Sequence, residues 1–136
     1  MRRVVLDTNV YVSALLAPNG SPAQILERWA DGGFDVAVSA LLLAELERVL
    51  RRPKFEGSIP AVQVDALLSA LSEEGIAVGD PDAPLGATPD PGDDYLVALA
   101  RAADADCIVS GDAHLTQMTN PRSPVLTPRE FLGSLG

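Results

Sequence analysis

Hydrophobic and polar residues are distributed along the chain in a pattern that predicts strands alternating with helices. Short apolar runs at Arg3 to Asp7, Phe34 to Val38 and Cys107 to Ser110 have the length and composition of buried strands. Two shorter strands are predicted at Ile76 to Val78 and Pro124 to Leu126. This alternation indicates a mainly parallel sheet with right-handed crossovers and helices on both faces. We therefore expect an α/β fold, a three-layer α/β/α sandwich, with the first strand at the centre of its sheet.

Capping residues, prolines and glycines predict where the helices begin and end. Ser21 to Gln24 has the pattern of a capping box with an early proline, and Ser39 is a suitable N-cap for the helix that follows it. The predicted helices run from Ser21 to about Asp31, Ala40 to about Arg52, Ala61 to Glu74, Asp93 to Ala103, and onward from a capping box at Thr127. Residues 79–92 are rich in proline and glycine, which predicts a long loop, and a short helical turn is expected after Asp112.

Size and composition favour one small globular domain spanning residues 1–136, because 47% of the residues are hydrophobic. No stretch reaches the roughly 20 apolar residues that span a bilayer, and the N-terminus enters a strand without a leader. We expect a soluble, cytoplasmic protein without a membrane partner. Cys107 and His114 are the only cysteine and histidine, which excludes an intrachain disulfide, a zinc cluster and a histidine-rich metal site.

The formal net charge of −9 opposes binding to nucleic acid at long range. The basic residues are clustered, however, with Arg48, Arg51, Arg52 and Lys54 inside a seven-residue window. This cluster is either a local phosphate-binding surface or a solvated helix end, where cations favour the helix dipole.

Acidic residues follow two of the predicted buried strands. Asp7 ends the first strand and Asp112 follows the strand that ends at Ser110. Ligands of open parallel sheets bind beyond the carboxyl ends of the strands, so both aspartates should reach the same edge. Glu45, inside its helix, and Asp93, at the start of a helix, are placed to converge with them. Taken singly, Asp93 and Asp112 also suit helix N-caps, and Glu45 suits an exposed position.

Four clustered carboxylates raise one another's pKa unless a cation neutralises them. Mg²⁺ prefers oxygen ligands and leaves positions open for water and phosphate, which suits phosphodiester hydrolysis. At 100° per residue, Glu45, Arg48 and Arg52 lie on one helix flank, so an arginine could meet the bound phosphate. The alternative is an ordinary i,i+3 ion pair between Glu45 and Arg48.

Four blocks resemble those of the PIN-domain family, in the family's order and over nearly the whole chain. They are residues 5–10, residues 39–50 with the helical Glu45, residues 90–100 and residues 105–112. The resemblance implies a PIN-like, Rossmann-like fold and a Mg²⁺- or Mn²⁺-dependent endoribonuclease. By this match Asp7, Glu45, Asp93 and Asp112 are the catalytic, metal-binding acids, supported by Thr8, Asn9, Asp94 and Ser110. Adjacent Asp94 is an alternative to Asp93.

The resemblance also implies partners, since many short members are toxins of virulence-associated type II toxin–antitoxin pairs. We expect a homodimer, an antitoxin partner and an RNA substrate, with Arg48 and Arg52 contacting the RNA. His114 is expected to be exposed and not catalytic.

Two other functions fit parts of the same pattern. One is a catalytically inactive PIN module that binds protein or RNA. The other is an aspartate-based phosphotransfer or phosphatase domain of the haloacid-dehalogenase or receiver kind. That kind needs a lysine near the phosphate, and Lys54 is the only one; the dehalogenase kind also expects a second aspartate where this chain has Asn9.

Overall fold

Among the described residues, five strands form the sheet: β1 (Arg3–Leu6), β2 (Asp35–Val38), β3 (Ile76–Ala77), β4 (Cys107–Val109) and β5 (Val125–Leu126). The computed structural model describes residues 2–81, 91–112 and 124–135, and of residues 91–94 only the backbone. Every strand pairing within these ranges is parallel, in the order β3-β2-β1-β4-β5. The predicted PIN-like α/β/α fold, with a parallel sheet and the first strand at its centre, is confirmed.

The described helices are α1 (Thr8–Leu16), α2 (Ser21–Ala30), α3 (Ala40–Leu50), α4 (Ala61–Glu74), α5 (Pro91–Ala102) and α6 (Pro128–Ser134). Helix α5 packs against β1 and β4, α4 packs against β2, and α6 packs against β5. None of the helices within the described ranges is long and apolar enough to cross a membrane.

Strand β1 is central because its side chains suit burial on both faces. Val4, Val5 and Leu6 are fully buried, and Leu6 lies opposite Val109 of β4. Strands β2 and β3 extend the sheet on one side of β1, and β4 and β5 extend it on the other. The strand order therefore reverses between β1 and β4, and a crevice opens there beyond the strand ends, where doubly wound sheets bind their ligands.

Helix α3 begins as predicted, because the Ser39 hydroxyl accepts a hydrogen bond of 3.2 Å from the backbone N–H of Leu42. Leu42, Leu46 and Leu50 bury the apolar stripe of this helix. The helix ends at Leu50 and not near Arg52. Arg52 adopts an extended conformation and precedes Pro53, which disfavours helical backbone at the preceding residue.

Helix α1 was not predicted. Its sequence, from Thr8 to Leu16, is apolar on most sides and rich in valine, so it shows no clear stripe of helical period. Val10, Tyr11 and Ala14 are buried by packing against α2 and α3. Tertiary burial, rather than an amphipathic pattern, therefore stabilises this helix.

The starts of two further helices differ from the prediction. Helix α2 has Gly20 as its N-cap, because the Gly20 carbonyl accepts the first helical hydrogen bond from Gln24; Ser21 already lies inside the helix and forms no capping box. Helix α5 begins at Pro91, so Asp93 is its third residue and not its first or its N-cap. Pro91 and Gly92 thus belong to a helix and not to the predicted loop.

Some of the other turn and cap predictions are confirmed. The rest concern residues that the structure does not describe. Gly32 has a φ of 83°, a conformation that favours glycine, and it follows the end of α2. The capping box at Thr127 and Glu130 is present at the start of α6. Residues 82–90 of the predicted loop, His114 and the helical turn expected after Asp112 lie outside the described residues.

Candidate active site

A cavity of about 650 Å³ lies at the end of the sheet where the strand order reverses. Its walls come from the end of β1, the start of α1, the first turns of α3 and the first half of α5. The lining residues are Asp7, Thr8, Asn9, Leu41, Leu42, Ala44, Glu45, Arg48, Tyr95, Leu96 and Asp112. Three of the four acids singled out in the sequence, from three separate elements, therefore share one cavity.

Asp7 is held in a fixed orientation beneath this cavity. It is 8% exposed, and its Oδ2 accepts a hydrogen bond of 2.8 Å from the buried hydroxyl of Ser110. The Thr8 hydroxyl donates a longer bond of 3.3 Å to Oδ1. Asp7 occupies the N-cap position of α1, but its side chain makes no capping bond to that helix. Its carboxylate points toward the end of β4 instead.

Ser110 links the two aspartates that follow β1 and β4. While its hydroxyl donates to Asp7, its oxygen accepts a hydrogen bond of 3.0 Å from the backbone N–H of Asp112. The pairing of Leu6 with Val109 places both strand ends side by side. The strand register and one buried serine thus bring Asp7 and Asp112 to the same edge.

Glu45 reaches the cavity from α3 but is engaged by a neighbour on its own helix. Arg48 Nη2 lies 2.6 Å from Glu45 Oε1, and Arg48 Nε donates to Oε2 at 3.1 Å. The hydrogen bond from Arg48 is the largest effect and lowers the pKa of Glu45; burial opposes it, and the charges of Arg48 and Arg52 lower the pKa further. Glu45 therefore has a cationic partner in Arg48, and its pKa is lowered and not raised.

The two arginines expected to share one flank of α3 are separated in the structure. Arg48 lines the cavity, whereas Arg52 lies beyond the end of the helix and lines a different depression beside Pro53 and Ile59. Arg52 therefore follows the helix that was expected to carry it, since that helix ends at Leu50. Its charge still acts on Glu45.

The fourth acid of the pattern lies on α5. Asp93 and Asp94 are the third and fourth residues of this helix, whose later residues Tyr95 and Leu96 line the cavity. The side chains of Asp93 and Asp94 are outside the described residues. Either one stays a candidate for the fourth acid.

Sequence reasoning missed a polar cluster at the rim of the cavity, formed by Ser39, Asp80 and Tyr95. The Tyr95 hydroxyl donates a hydrogen bond to Asp80 Oδ1 and lies 2.5 Å from Ser39 Oγ. Asp80 also accepts from the backbone N–H of Leu41 at 3.2 Å. Burial, followed by the bond to Asp80, raises the pKa of Tyr95 to about 12, so the phenol is protonated at neutral pH. The signal in the sequence that could have pointed to this cluster was Tyr95, an aromatic residue directly after the two aspartates of α5.

The chemistry of the donor set fits a divalent cation. Asp7, Glu45 and Asp112 present carboxylate oxygens to one cavity, and Mg²⁺ and Mn²⁺ prefer such ligands. As placed, no three acidic, histidine or cysteine side chains among those described lie close enough together to hold one ion. Glu45 has Arg48 as its partner in this arrangement.

The fold is PIN-like, and the chain belongs to the PIN-domain family. The sequence profile of the PIN domain matches residues 3–114. Family members are generally nucleases.

The chain is 27% identical over 140 aligned residues to an uncharacterized protein of Methanocaldococcus jannaschii, with 96% of this chain and 89% of that protein covered. Its fold is similar to a chain in the crystal structure of VapBC2 from Rickettsia felis bound to a DNA fragment from their promoter, with a TM-score of 0.62. That match has 18% identity and covers 92% of this chain and 98% of the other.

Proposed function

We propose that this chain is a Mg²⁺- or Mn²⁺-dependent endoribonuclease that hydrolyses phosphodiester bonds of RNA. The observation that carries the proposal is the convergence of Asp7, Glu45 and Asp112, from three separate elements, on one cavity at the switch point of the sheet. Membership of a family of nucleases supports the same reaction class.

Asp7, Glu45, Asp93 and Asp112 would hold the metal ion. When bound, a divalent ion supplies a water of lowered pKa and neutralises charge that develops on the phosphate. Ser110 fixes the Asp7 carboxylate in one orientation, so the rotation of the Asp7 side chain is already restricted before a metal ion binds.

Three further residues would support the ligands and their waters. Thr8 approaches the second oxygen of Asp7, and Asn9 offers its amide group to the cavity. Asp94 is the alternative to Asp93 as the acid contributed by α5.

RNA would bind through positive groups at the cavity and beside it. Arg48 lines the cavity, where its guanidinium can donate two hydrogen bonds to a phosphate when it leaves Glu45. The N-terminus of α1 also opens at the cavity, and the positive end of a helix dipole favours an anion. Arg52 contributes from outside the cavity, through longer-range attraction.

In the cell we propose that the chain is the toxin of a type II toxin–antitoxin pair, cytoplasmic, dimeric and inhibited by an antitoxin. The fold match to a VapBC2 structure supports an antitoxin partner. A short neighbouring reading frame that encodes a DNA-binding protein, and whose product co-purifies with this chain, is the expected finding. If neither the reading frame nor a co-purifying protein is found, the toxin assignment fails while the nuclease proposal stands.

The nuclease proposal is tested by substituting Asp7→Asn, which keeps the side chain's size and removes its charge. We expect this variant to lose cleavage of a mixture of transfer and ribosomal RNA in the presence of Mn²⁺ while keeping the wild-type circular-dichroism spectrum. The matched control is Asp31→Asn, the same exchange at an exposed position after α2, which should cleave as the wild type does. An Asp7→Asn variant that cuts at the wild-type rate would exclude Asp7 as a metal ligand.

A catalytically inactive, binding-only PIN module is the second candidate. The ion pair between Glu45 and Arg48 favours this second candidate, because the pair engages an acid that would be needed as a metal ligand. RNA binding without any cleavage by the wild type, with or without Mn²⁺, would support this candidate. A phosphotransfer function is disfavoured, since Lys54 stacks over the Phe55 ring at 5.0 Å and does not line the cavity.

A further inference from the structure

Two helices that line the cavity, α3 and α5, are joined by one hydrogen-bonded cluster. Helix α3 carries Glu45 and packs on α1 and α4, whereas α5 carries Asp93 and packs on β1 and β4. The Tyr95 hydroxyl connects them, because it contacts Ser39, the N-cap residue of α3. The width of the cavity between these helices therefore depends on a direct side-chain link.

The hydrogen-bond directions in this cluster are set by chemistry. An ionised carboxylate only accepts, so the Tyr95 hydroxyl donates its hydrogen bond to Asp80, and the Ser39 hydroxyl is shared between the phenol oxygen and Asp80. Ser39 accepts at the same time from the Leu42 N–H, and Asp80 accepts from the Leu41 N–H. Ser39 and Asp80 are thus both anchored to the first turn of α3, and Tyr95 is held to that turn by its hydrogen bonds to these two residues.

We propose that Tyr95 is a positioning residue whose hydroxyl, shared between Ser39 and Asp80, fixes the first turns of α5 against the N-terminus of α3 and so sets the spacing of the metal-binding acids that these helices carry. Tyr95 lies two residues after Asp93 in the same helix, so the bonds to its hydroxyl restrain the backbone that bears Asp93. This inference rests on the proposed metal-dependent function. Outer partners that orient metal ligands change metal affinity by about 10- to 100-fold when removed.

The experiment measures Mn²⁺ binding by electron paramagnetic resonance of the free ion, at a temperature where every variant is folded. Tyr95→Phe removes only the hydroxyl and should raise the Kd for Mn²⁺ by about 10-fold. Asp80→Ala, at an exposed residue whose loss leaves the core intact, should raise it similarly. The double variant should bind no more weakly than the worse single variant, because both act through one link.

The matched control is Tyr11→Phe, at the chain's other tyrosine. Its hydroxyl is buried and has no hydrogen-bond partner among the described residues, so its removal should leave the Kd for Mn²⁺ unchanged. A purely structural role for Tyr95 would lower the melting temperature and leave Mn²⁺ affinity as in the wild type, which overturns the proposal. Additive effects in the double variant would overturn it too. A wild-type protein that binds no Mn²⁺ would overturn the proposed function itself, and this inference with it.

Discussion

Ser110 and Asp7 are 103 positions apart in the sequence and form a buried hydrogen bond of 2.8 Å between the ends of β4 and β1. The bond exists because the parallel register of β1 and β4 places Leu6 opposite Val109, so the residues that follow them meet at the same level. The Ser110 hydroxyl oxygen also accepts a hydrogen bond from the backbone N–H of Asp112. One buried hydroxyl therefore serves as donor to one acid and as acceptor for the backbone of another.

Removing this hydroxyl should destabilise the protein and disturb the site together. Ser110→Ala leaves the buried Asp7 carboxylate without its donor and the Asp112 N–H without its acceptor, which should cost about 1–3 kcal/mol. Urea unfolding measures the free energy. Ser69→Ala, the same exchange at an exposed position on α4, should change it by less than about 0.5 kcal/mol. Equal stability of the two variants would mean that the Ser110 bond contributes nothing to folding.

The ion pair between Glu45 and Arg48 makes a prediction about pH. The folded-state pKa of Glu45 is lowered below 4.5, first by the hydrogen bond from Arg48. The stabilisation from this pair is therefore fully present above pH 4.5 and is lost as the pH falls through the lower folded-state pKa. Its size is small, because the side chains of Arg48 and Glu45 are 61% and 49% exposed.

The test follows the side-chain carboxyl carbon of Glu45 by NMR during an acid titration. In Arg48→Gln the pKa of Glu45 should rise toward 4.5, and in Arg101→Gln, at an exposed arginine on α5, it should stay at the wild-type value. A wild-type pKa in Arg48→Gln would show that another group holds the Glu45 charge.

The separation of Arg48 from Arg52 gives a prediction about RNA binding. Each phosphate contact to single-stranded RNA contributes about 0.7 to the slope of log K against log salt. Arg48→Glu, inside the cavity, should weaken binding and flatten this slope. Arg52→Glu should act more weakly, because Arg52 lies outside the cavity.

Fluorescence anisotropy of a labelled RNA over a range of salt concentrations measures the slope. Arg129→Glu, the same charge reversal at an exposed residue of α6, serves as the control. If Arg48→Glu and Arg129→Glu give the same slope, Arg48 makes no phosphate contact and serves only as the partner of Glu45.

Features with local signals were predictable from the sequence. Ser39 and Pro53 bracket α3, the apolar run of β1 indicates a central strand, and Asp7 follows that strand at the edge where ligands bind. The start of α3 could be predicted from its N-cap residue, Ser39, alone. The convergence of Asp7 with Asp112 needed one further step, the rule that parallel strands end at a common edge.

Features that depend on distant partners were not predictable in the same way. Helix α1 is stabilised by the burial of Val10, Tyr11 and Ala14 against neighbouring helices, and its sequence has no clear stripe of helical period. The link from Ser39 to Tyr95 joins residues 56 positions apart, and the pairing becomes visible only once α3 and α5 are placed around the cavity. Arg52 follows the end of α3 at Leu50 and lines a different depression, because the backbone geometry before Pro53 disfavours continuation of the helix.

Removal of the metal is the most direct check on the nuclease proposal. EDTA should stop RNA cleavage, and excess Mn²⁺ or Mg²⁺ should restore it.

Metal binding should also stabilise the folded protein by about 2.7 kcal/mol at a metal concentration 100-fold above Kd. Thermal unfolding with and without Mn²⁺ therefore gives a readout that does not depend on finding the right RNA. The wild type and Asp31→Asn should both melt at a higher temperature with Mn²⁺, whereas Asp7→Asn should not. Cleavage that persists in EDTA, or an equal Mn²⁺ shift in Asp7→Asn, would contradict a metal held by Asp7.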